Sequence, residues 1–191
     1  MSSMRHVVPA PLPPFVAPAH GYSTPANPTG LHRGLPSRHL TLVVELAAPL
    51  RVSGPGDPVT AHAVIGGLHT RAALIDATRP QEGLQYALTL PAATVLLGLP
   101  AVDLAGRPVD LADVVGPAAD RLVDDLATAT GWAQRSARLD DALVERLSCA
   151  APPVPSDVRK AWRLVHRSIG RCRIAAASRT SPPTSAGAGD T

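Results

Sequence analysis

Proline constrains this chain more than any other residue, because 21 of its 191 residues are proline and seven of those fall within the first thirty. Proline has no backbone N–H and holds φ near one value, so a proline-dense segment forms neither a long helix nor a central strand. We therefore expect residues 1–30 to be an extended, proline-rich arm that precedes the folded part of the chain.

The core has to be built from aliphatic side chains, since 45% of the residues are hydrophobic but only 3% are aromatic. So few rings exclude a platform on which successive nucleic-acid bases stack. No run approaches the roughly 18 apolar residues that a membrane span needs, and prolines interrupt any signal-peptide pattern near the start. These features predict a cytoplasmic protein with no membrane partner.

The apolar patterns predict strands first and helices afterwards. Four short apolar segments are separated by Gly, Pro and Asp turns, which favours an antiparallel sheet, sandwich or barrel. Beyond Pro91 the apolar period becomes helical, with two short helices followed by a longer pair. The predicted strands cover 39–46, 61–68, 71–76 and 84–90, and the predicted helices cover 91–98, 109–116, 117–129 and 132–147. The expected fold class is α+β, over a domain at 31–148.

Leu139, Leu143 and Leu147 form an apolar seam along the last predicted helix. A seam of this kind packs either inside its own domain or against a second copy in a homodimer, and internal packing is the commoner outcome. We expect internal packing and keep a homodimer as the alternative.

The histidines and acidic pairs indicate no catalytic or metal site. His32 and His39 are seven residues apart, as are His62 and His69, and an odd spacing turns strand residues to opposite faces. Serine-nucleophile and phosphate-loop motifs are absent from the sequence. The pairs Asp124–Asp125 and Asp140–Asp141 are expected on solvated helix faces. We therefore predict no enzyme activity, no catalytic residue, no metal and no cofactor.

Four basic residues flank the predicted strands and are the candidates for ligand binding: Arg33, Arg38, His69 and Arg71. At the mouth of a sheet domain they would bind an anionic or polar molecule. The alternative is that they are ordinary loop residues that keep the protein soluble.

Basic residues concentrate at the C-terminal end. Residues 150–191 carry seven basic and two acidic side chains, whereas residues 1–149 carry eleven and thirteen. We expect a proline-stiffened linker at 149–155, a helical segment at 156–177 and a disordered tail at 178–191. The candidates for contacts with DNA phosphates are Arg159, Lys160, Arg163 and Arg167. One helix alone does not read a base sequence, because a helix-turn-helix braces its reading helix with others.

A family resemblance accounts for this organisation. The segments 31–44 and 65–71 resemble the sensor domain of AraC-type (AraC/XylS) transcriptional regulators. Further segments similar to that family are 81–90, 96–107, 109–113 and 158–164. The resemblance implies a cupin-like sensor domain that binds a small-molecule effector, helices that often dimerise, and a C-terminal DNA-binding module of seven helices with two helix-turn-helix units.

The same resemblance indicates where the sequence departs from the family. Residues 156–177 match the first helix and the opening of the second, after which the family continues into a turn and a recognition helix. Here Ser178 begins a Ser/Thr/Pro/Ala/Gly stretch without periodicity. We expect a truncated or frameshifted regulator that binds DNA weakly and without sequence preference. The alternatives are a stand-alone ligand-binding or dimerisation module, and a small cupin enzyme with metal ligands such as His39 or His62.

Overall fold

Ten strands in two antiparallel sheets and four α-helices make up residues 2–54 and 56–149 of this computed structural model, which also describes residue 160. This architecture confirms the predicted α+β class. Residues 2–54 and 56–149 belong to one unit. The strands are β1 (Ser2–His6), β2 (Val16–Thr24), β3 (Leu31–Gly34), β4 (Leu40–Glu45), β5 (Leu50–Ser53), β6 (Val59–Ala61), β7 (Ala63–Gly66), β8 (Ala73–Asp76), β9 (Gln81–Leu88) and β10 (Pro108–Asp110).

The larger sheet has six strands in the order β1-β2-β9-β4-β7-β10, and the smaller sheet has four in the order β3-β8-β5-β6. The centre of the larger sheet confirms the predicted strands at 39–46, 61–68 and 84–90. The predicted strand at 71–76 is confirmed as β8 of the smaller sheet. The short strands β3, β5, β6 and β10 were not predicted. Each has only three or four residues, too few to show a period of two.

The prediction of an extended arm without a central strand is wrong for residues 2–24. β1 and β2 both belong to the larger sheet, and β2 lies between β1 and β9. Four of the early prolines fall between these two strands. Pro18 lies where the β2–β9 register shifts, between Val16 and Ala19, a position at which an irregular ladder tolerates a missing N–H. The early prolines therefore lie outside the strands, except for Pro18, which lies in β2 at its irregular position.

The larger sheet separates two apolar cores because strand residues alternate between its faces. Its helix-facing side carries Leu42, Ile65, Leu84 and Tyr86, all at most 2% exposed, in the main core. Its opposite side faces the smaller sheet, where a second core gathers around Val64. Both faces of the central strands are therefore covered.

The helices are α1 (Leu90–Ala92), which continues as a π-helix (Ala93–Leu97), α2 (Leu111–Val115), α3 (Ala118–Thr128) and α4 (Trp132–Cys149), with a 3-10 turn at Ala101–Leu104. All four predicted helices are thus confirmed to within a few residues. Pro91 lies in the first turn of the first helix, and Gly98 closes it at φ 76°, the usual arrangement at helix ends. Asp110 caps α2 by accepting from the Ala112 N–H at 2.9 Å.

The apolar seam of α4 packs inside the domain. Leu139 is 0% exposed and Leu143 6% exposed within the main core, and Leu147 packs against that core. This confirms the expected internal packing. Among the described helices, none has the length and apolar character needed to cross a bilayer.

The predicted linker, helical segment and disordered tail beyond residue 149 lie outside the described residues, with the exception of Lys160, which is exposed.

Candidate functional site

A cavity of about 270 Å³ lies between the two sheets, on the side of the larger sheet that faces away from the helices. Its walls include Val43 and Val64 from the larger sheet and Val52 and Ile75 from the smaller one. The volume is just below the range of about 300–1,000 Å³ in which drug-sized ligands bind. The cavity therefore suits a small molecule.

The register of the central strands explains why a space remains there. Thr41 of β4 is opposite both Ala87 of β9 and Gly66 of β7, so three small residues lie side by side across the sheet. All three line the cavity. In the next row Val43 is opposite Gln85, which also lines the cavity and supplies an amide. The inner face of the larger sheet is thus lined mainly by small side chains, with the Thr41 hydroxyl and the Gln85 amide as its polar groups.

The ionisable residues that line the cavity are all basic: His32, Arg33, His69 and Arg107. Among the described residues that line it, none is Asp or Glu. His32 is directly opposite Ile75, so its side chain is on the inward face of β3. Arg33 follows His32 and its side chain is on the other face of β3, so Arg33 contributes only to the edge of the cavity. The site is electropositive, and Arg107 is its main permanent charge.

Arg107 is held by its own loop. Its Nε and Nη2 donate to the Asp103 carbonyl oxygen at 3.1 and 2.9 Å. Its carbonyl oxygen accepts from the Gly67 N–H at 3.3 Å, and Gly106 donates to the Leu68 carbonyl at 2.7 Å. These bonds attach the loop before β10 to the end of β7, so the position of the guanidinium depends on that junction.

Two of the four predicted ligand-binding residues, Arg33 and His69, line the cavity, whereas Arg38 and Arg71 do not. Arg71 contributes through its backbone, because its carbonyl oxygen accepts from Nδ1 of His69. His32 and Arg107 were missed. His32 was considered only as one member of a seven-residue histidine spacing, and nothing local marks Arg107, because β10 brings it to the cavity only by pairing with β7.

Of the predicted DNA-phosphate candidates, Lys160 is exposed. Arg159, Arg163 and Arg167 lie outside the described residues.

A buried carboxylate lies in the larger sheet, at the end of β4. Glu45 is 1% exposed, and its Oε2 accepts from the Tyr22 hydroxyl at 2.9 Å. Its Oε1 accepts from the N–H groups of Glu82 at 2.6 Å and Ala47 at 3.2 Å. Burial raises the pKa of Glu45, and these hydrogen bonds only partly offset that rise. Burial, followed by the charge of Glu45, also raises the pKa of Tyr22. With its acceptors occupied, Glu45 serves the structure of the sheet.

A second buried carboxylate corrects the prediction that Asp140 and Asp141 lie on a solvated face. Asp141 is exposed, but Asp140 is only 3% exposed. The Asp140 Oδ1 accepts from the Tyr86 hydroxyl at 3.0 Å, and Oδ2 accepts from Nε2 of His6 at 2.6 Å. Asp140 is buried because β1 and β9 bring its two partners, His6 and Tyr86, from distant parts of the chain. For the other pair the prediction is confirmed, since Asp124 and Asp125 are exposed.

The histidines that a cupin enzyme would need are far apart. His39 precedes the first residue of β4, whereas the carbonyl of Glu45, at the last residue of β4, accepts from His62 Nδ1 at 2.8 Å. Six strand residues separate the two positions, about 20 Å at the usual rise. Within 2–54 and 56–149 no group of three or more His, Cys, Asp or Glu side chains is placed to hold a metal ion.

A larger depression of about 550 Å³ lies beside α3 and α4. Its charged lining is balanced, with three basic residues, Arg121, Arg138 and Arg146, and three acidic residues, Asp125, Asp141 and Glu145. Arg138 already pairs with Asp125 at 2.7 Å. Because the charges of its lining balance, this depression favours neither an anionic nor a cationic ligand. The cavity between the sheets, with its basic lining, is the stronger candidate.

No protein-family model matches the chain, and no curated protein matches it either.

Proposed function

We propose that this chain is a transcriptional regulator of AraC type, in which the described domain senses a small-molecule effector. The observation that carries the proposal is the cavity between the two sheets, whose basic lining includes His69 and, at its edge, Arg33, two of the residues predicted from the sequence. A sensor needs a site that is separate from the DNA-contacting segment. This cavity lies wholly within the described domain.

The order of the elements supports a cupin-like sensor. Two antiparallel sheets enclose the cavity, and a helical pair follows them along the chain, as the resemblance implies. The helices cover the face of the larger sheet opposite the cavity. An effector would therefore contact the strands, and the strands would carry its effect to the helices that precede the basic segment.

The proposed macromolecular partner is DNA, contacted through its phosphates by the basic residues Arg159, Lys160, Arg163 and Arg167. Phosphate contacts of this kind release counterions, so that the affinity for DNA falls as the salt concentration is raised. In a plot of the logarithm of the binding constant against the logarithm of the salt concentration, each contacted phosphate contributes roughly −0.9 to the slope. Four contacts would give a slope of about −3 to −4.

Fluorescence anisotropy of a labelled duplex, titrated with the full chain at several salt concentrations, tests the DNA contacts. A variant with Arg159→Gln, Lys160→Gln, Arg163→Gln and Arg167→Gln should bind more weakly at low salt and lose most of the slope. The matched control changes four exposed arginines of the described domain by the same total charge: Arg38→Gln, Arg51→Gln, Arg71→Gln and Arg79→Gln. It should keep most of the slope.

Equal losses in the two variants would mean that net charge alone, and not this segment, attracts DNA. If neither the unmodified chain nor either variant binds duplex, the regulator proposal fails. The second candidate, a stand-alone ligand-binding module, would then account for the protein, because the cavity needs nothing from the basic segment.

A further inference from the structure

We propose that the ligand of the cavity between the sheets is a small organic carboxylate with an apolar body. This inference rests on the proposed function, since it names the chemical class of the effector. Its basis is the combination of an apolar wall, a small volume and an ionisable lining that is basic throughout.

The sign of the lining selects the charge of the ligand. His32, His69 and Arg107 line the cavity, and none of the described lining residues carries a carboxylate. A cation would find no acidic partner among these residues and would be repelled by the exposed Arg107 guanidinium. An anion would instead receive charge-assisted hydrogen bonds, which are stronger than neutral ones.

Arg107 keeps donors for such an anion. The guanidinium has five N–H groups, and the bonds from Nε and Nη2 to the Asp103 carbonyl use two of them. None of the salt bridges between described residues involves Arg107. Three N–H donors and a full positive charge therefore remain, in the planar fork that fits a carboxylate.

The loop that carries Arg107 is held in place before any ligand arrives. A side chain added at Gly56 would meet the Arg107 Cβ at 2.7 Å, so the loop after β5 approaches this position closely. The Gly67 N–H bonds to the Arg107 carbonyl on the other side. A preorganised donor loses less conformational freedom when it binds a ligand, and this favours affinity.

The two histidines add donors or acceptors to the lining of the same cavity. Nδ1 of His69 is occupied by the Arg71 carbonyl, which leaves Nε2 as the ring nitrogen for a ligand. His32 is on the inward face of β3, opposite Ile75. Both rings therefore add polar groups to the basic lining.

The remaining walls determine the body of the ligand. Val43, Val52, Val64 and Ile75 present aliphatic surface, and the cavity measures about 270 Å³. Burial of apolar area there contributes roughly 25 cal/mol per Å². Thr41 and Gln85 also line the cavity and offer polar groups to one further substituent. The ligand is therefore a compact aromatic or branched aliphatic acid.

The test uses the ¹⁵N-labelled full chain, titrated with matched probes and followed by amide chemical shifts. The probes are benzoate, isovalerate and hexanoate, together with the amide and the amine of each. At least one carboxylate should shift resonances of cavity residues such as Val43 and Val64. Its amide should bind about ten- to a hundredfold more weakly, because it lacks the charge-assisted bonds, and its amine should not bind.

Two variants locate the site. Arg107→Gln should weaken binding of the carboxylate about ten- to a hundredfold. The control Arg79→Gln makes the same change of charge at an exposed residue that does not line the cavity, and it should leave binding within about twofold. Gly66→Leu should abolish binding by filling the space. An added Cβ at Gly66 makes only ordinary contacts, the nearest at 3.7 Å from Thr41.

The outcomes separate this inference from the proposed function. If amides or amines bind in the cavity as tightly as the carboxylates, the proposed ligand class is wrong while the sensor role survives. If carboxylates bind but Arg107→Gln and Arg79→Gln weaken them equally, the assignment to Arg107 is wrong. If no probe of any charge shifts a cavity resonance, both the ligand class and the sensor role are overturned.

Discussion

His6 and Asp140 are 134 residues apart in sequence, yet Nε2 of the histidine and Oδ2 of the aspartate are only 2.6 Å apart. His6 is in β1, at the edge of the larger sheet, and its ring stacks on Tyr86 with a centroid distance of 6.0 Å. Tyr86 in turn donates to Asp140 Oδ1. The three side chains therefore join the first strand and a central strand to the last described helix.

This cluster predicts that alanine substitutions of the neighbouring residues Asp140 and Asp141 differ greatly in how much they lower the free energy of unfolding. Among the residues that the structure describes, Asp140 is the one acceptor at good distance from the buried Tyr86 hydroxyl, and the other contact, to the Ser136 carbonyl, is 3.4 Å long. Asp140→Ala removes the better acceptor. We expect a loss of about 1–3 kcal/mol in the free energy of unfolding, the usual cost of an unsatisfied buried group. Urea unfolding followed by circular dichroism measures it.

Asp141→Ala is the matched control, because Asp141 is exposed. It should change the free energy of unfolding by no more than about 0.5 kcal/mol. If the two alanine variants are destabilised equally, Asp140 has no special role in joining the strands to the helix.

Glu45 predicts a dependence of stability on pH. Burial raises the pKa of Glu45 above its ordinary value of 4.5, so the folded chain binds this proton more tightly than the unfolded chain. The contribution of Glu45 to stability is therefore greatest below pH 4.5, and it falls as pH rises from there through the raised pKa. Above that window the ionised carboxylate is buried at a cost.

The Glu45→Gln variant isolates this effect. Its amide oxygen can still accept from the Glu82 and Ala47 N–H groups, and its NH₂ can donate to the Tyr22 hydroxyl oxygen. Relative to the unmodified chain, the variant should gain stability as pH rises from about 4.5 to neutrality. Chemical unfolding of both proteins across this pH range gives the difference. A difference that stays constant with pH would show that Glu45 ionises equally well in the folded and unfolded chains.

Alanine substitutions at the adjacent residues Gly66 and Gly67 are expected to differ in their effect on stability. A Cβ added at Gly67 would overlap the Leu104 carbonyl oxygen, whereas one at Gly66 has no neighbour closer than 3.7 Å. Gly67→Ala should lower the free energy of unfolding by about 1–3 kcal/mol or more, because backbone has to move. Gly66→Ala should be tolerated to within about 1 kcal/mol.

Thermal unfolding of the two alanine variants, measured side by side, tests this difference. The close approach of Gly67 to Leu104 lies beside the junction that holds the Arg107 loop. Equal midpoints for the two variants would mean that the loop does not pack against the end of β7 as described.

Local sequence determined the helices and four of the ten described strands, β4, β7, β8 and β9. Apolar periodicity predicted the central strands and all four helices, because a strand or helix in contact with a core repeats its apolar residues at its own geometric period. Pro91 and Gly98 marked the limits of one helix for equally local reasons, a fixed φ and a left-handed φ. The seam on α4 indicated internal packing, and Leu139 is fully buried.

Tertiary structure decided everything that depends on which distant residues meet. β2 is an interior strand because its prolines fall in loops or at a register shift, which a count of prolines does not show. Asp140 is buried because β1 and β9 bring His6 and Tyr86 to it. The cavity exists because strand register aligns Thr41, Ala87 and Gly66, and Arg107 reaches it through pairing of β10 with β7. Periodicity reports the face on which a residue lies, whereas its partner across the sheet is chosen by the packing of the whole domain.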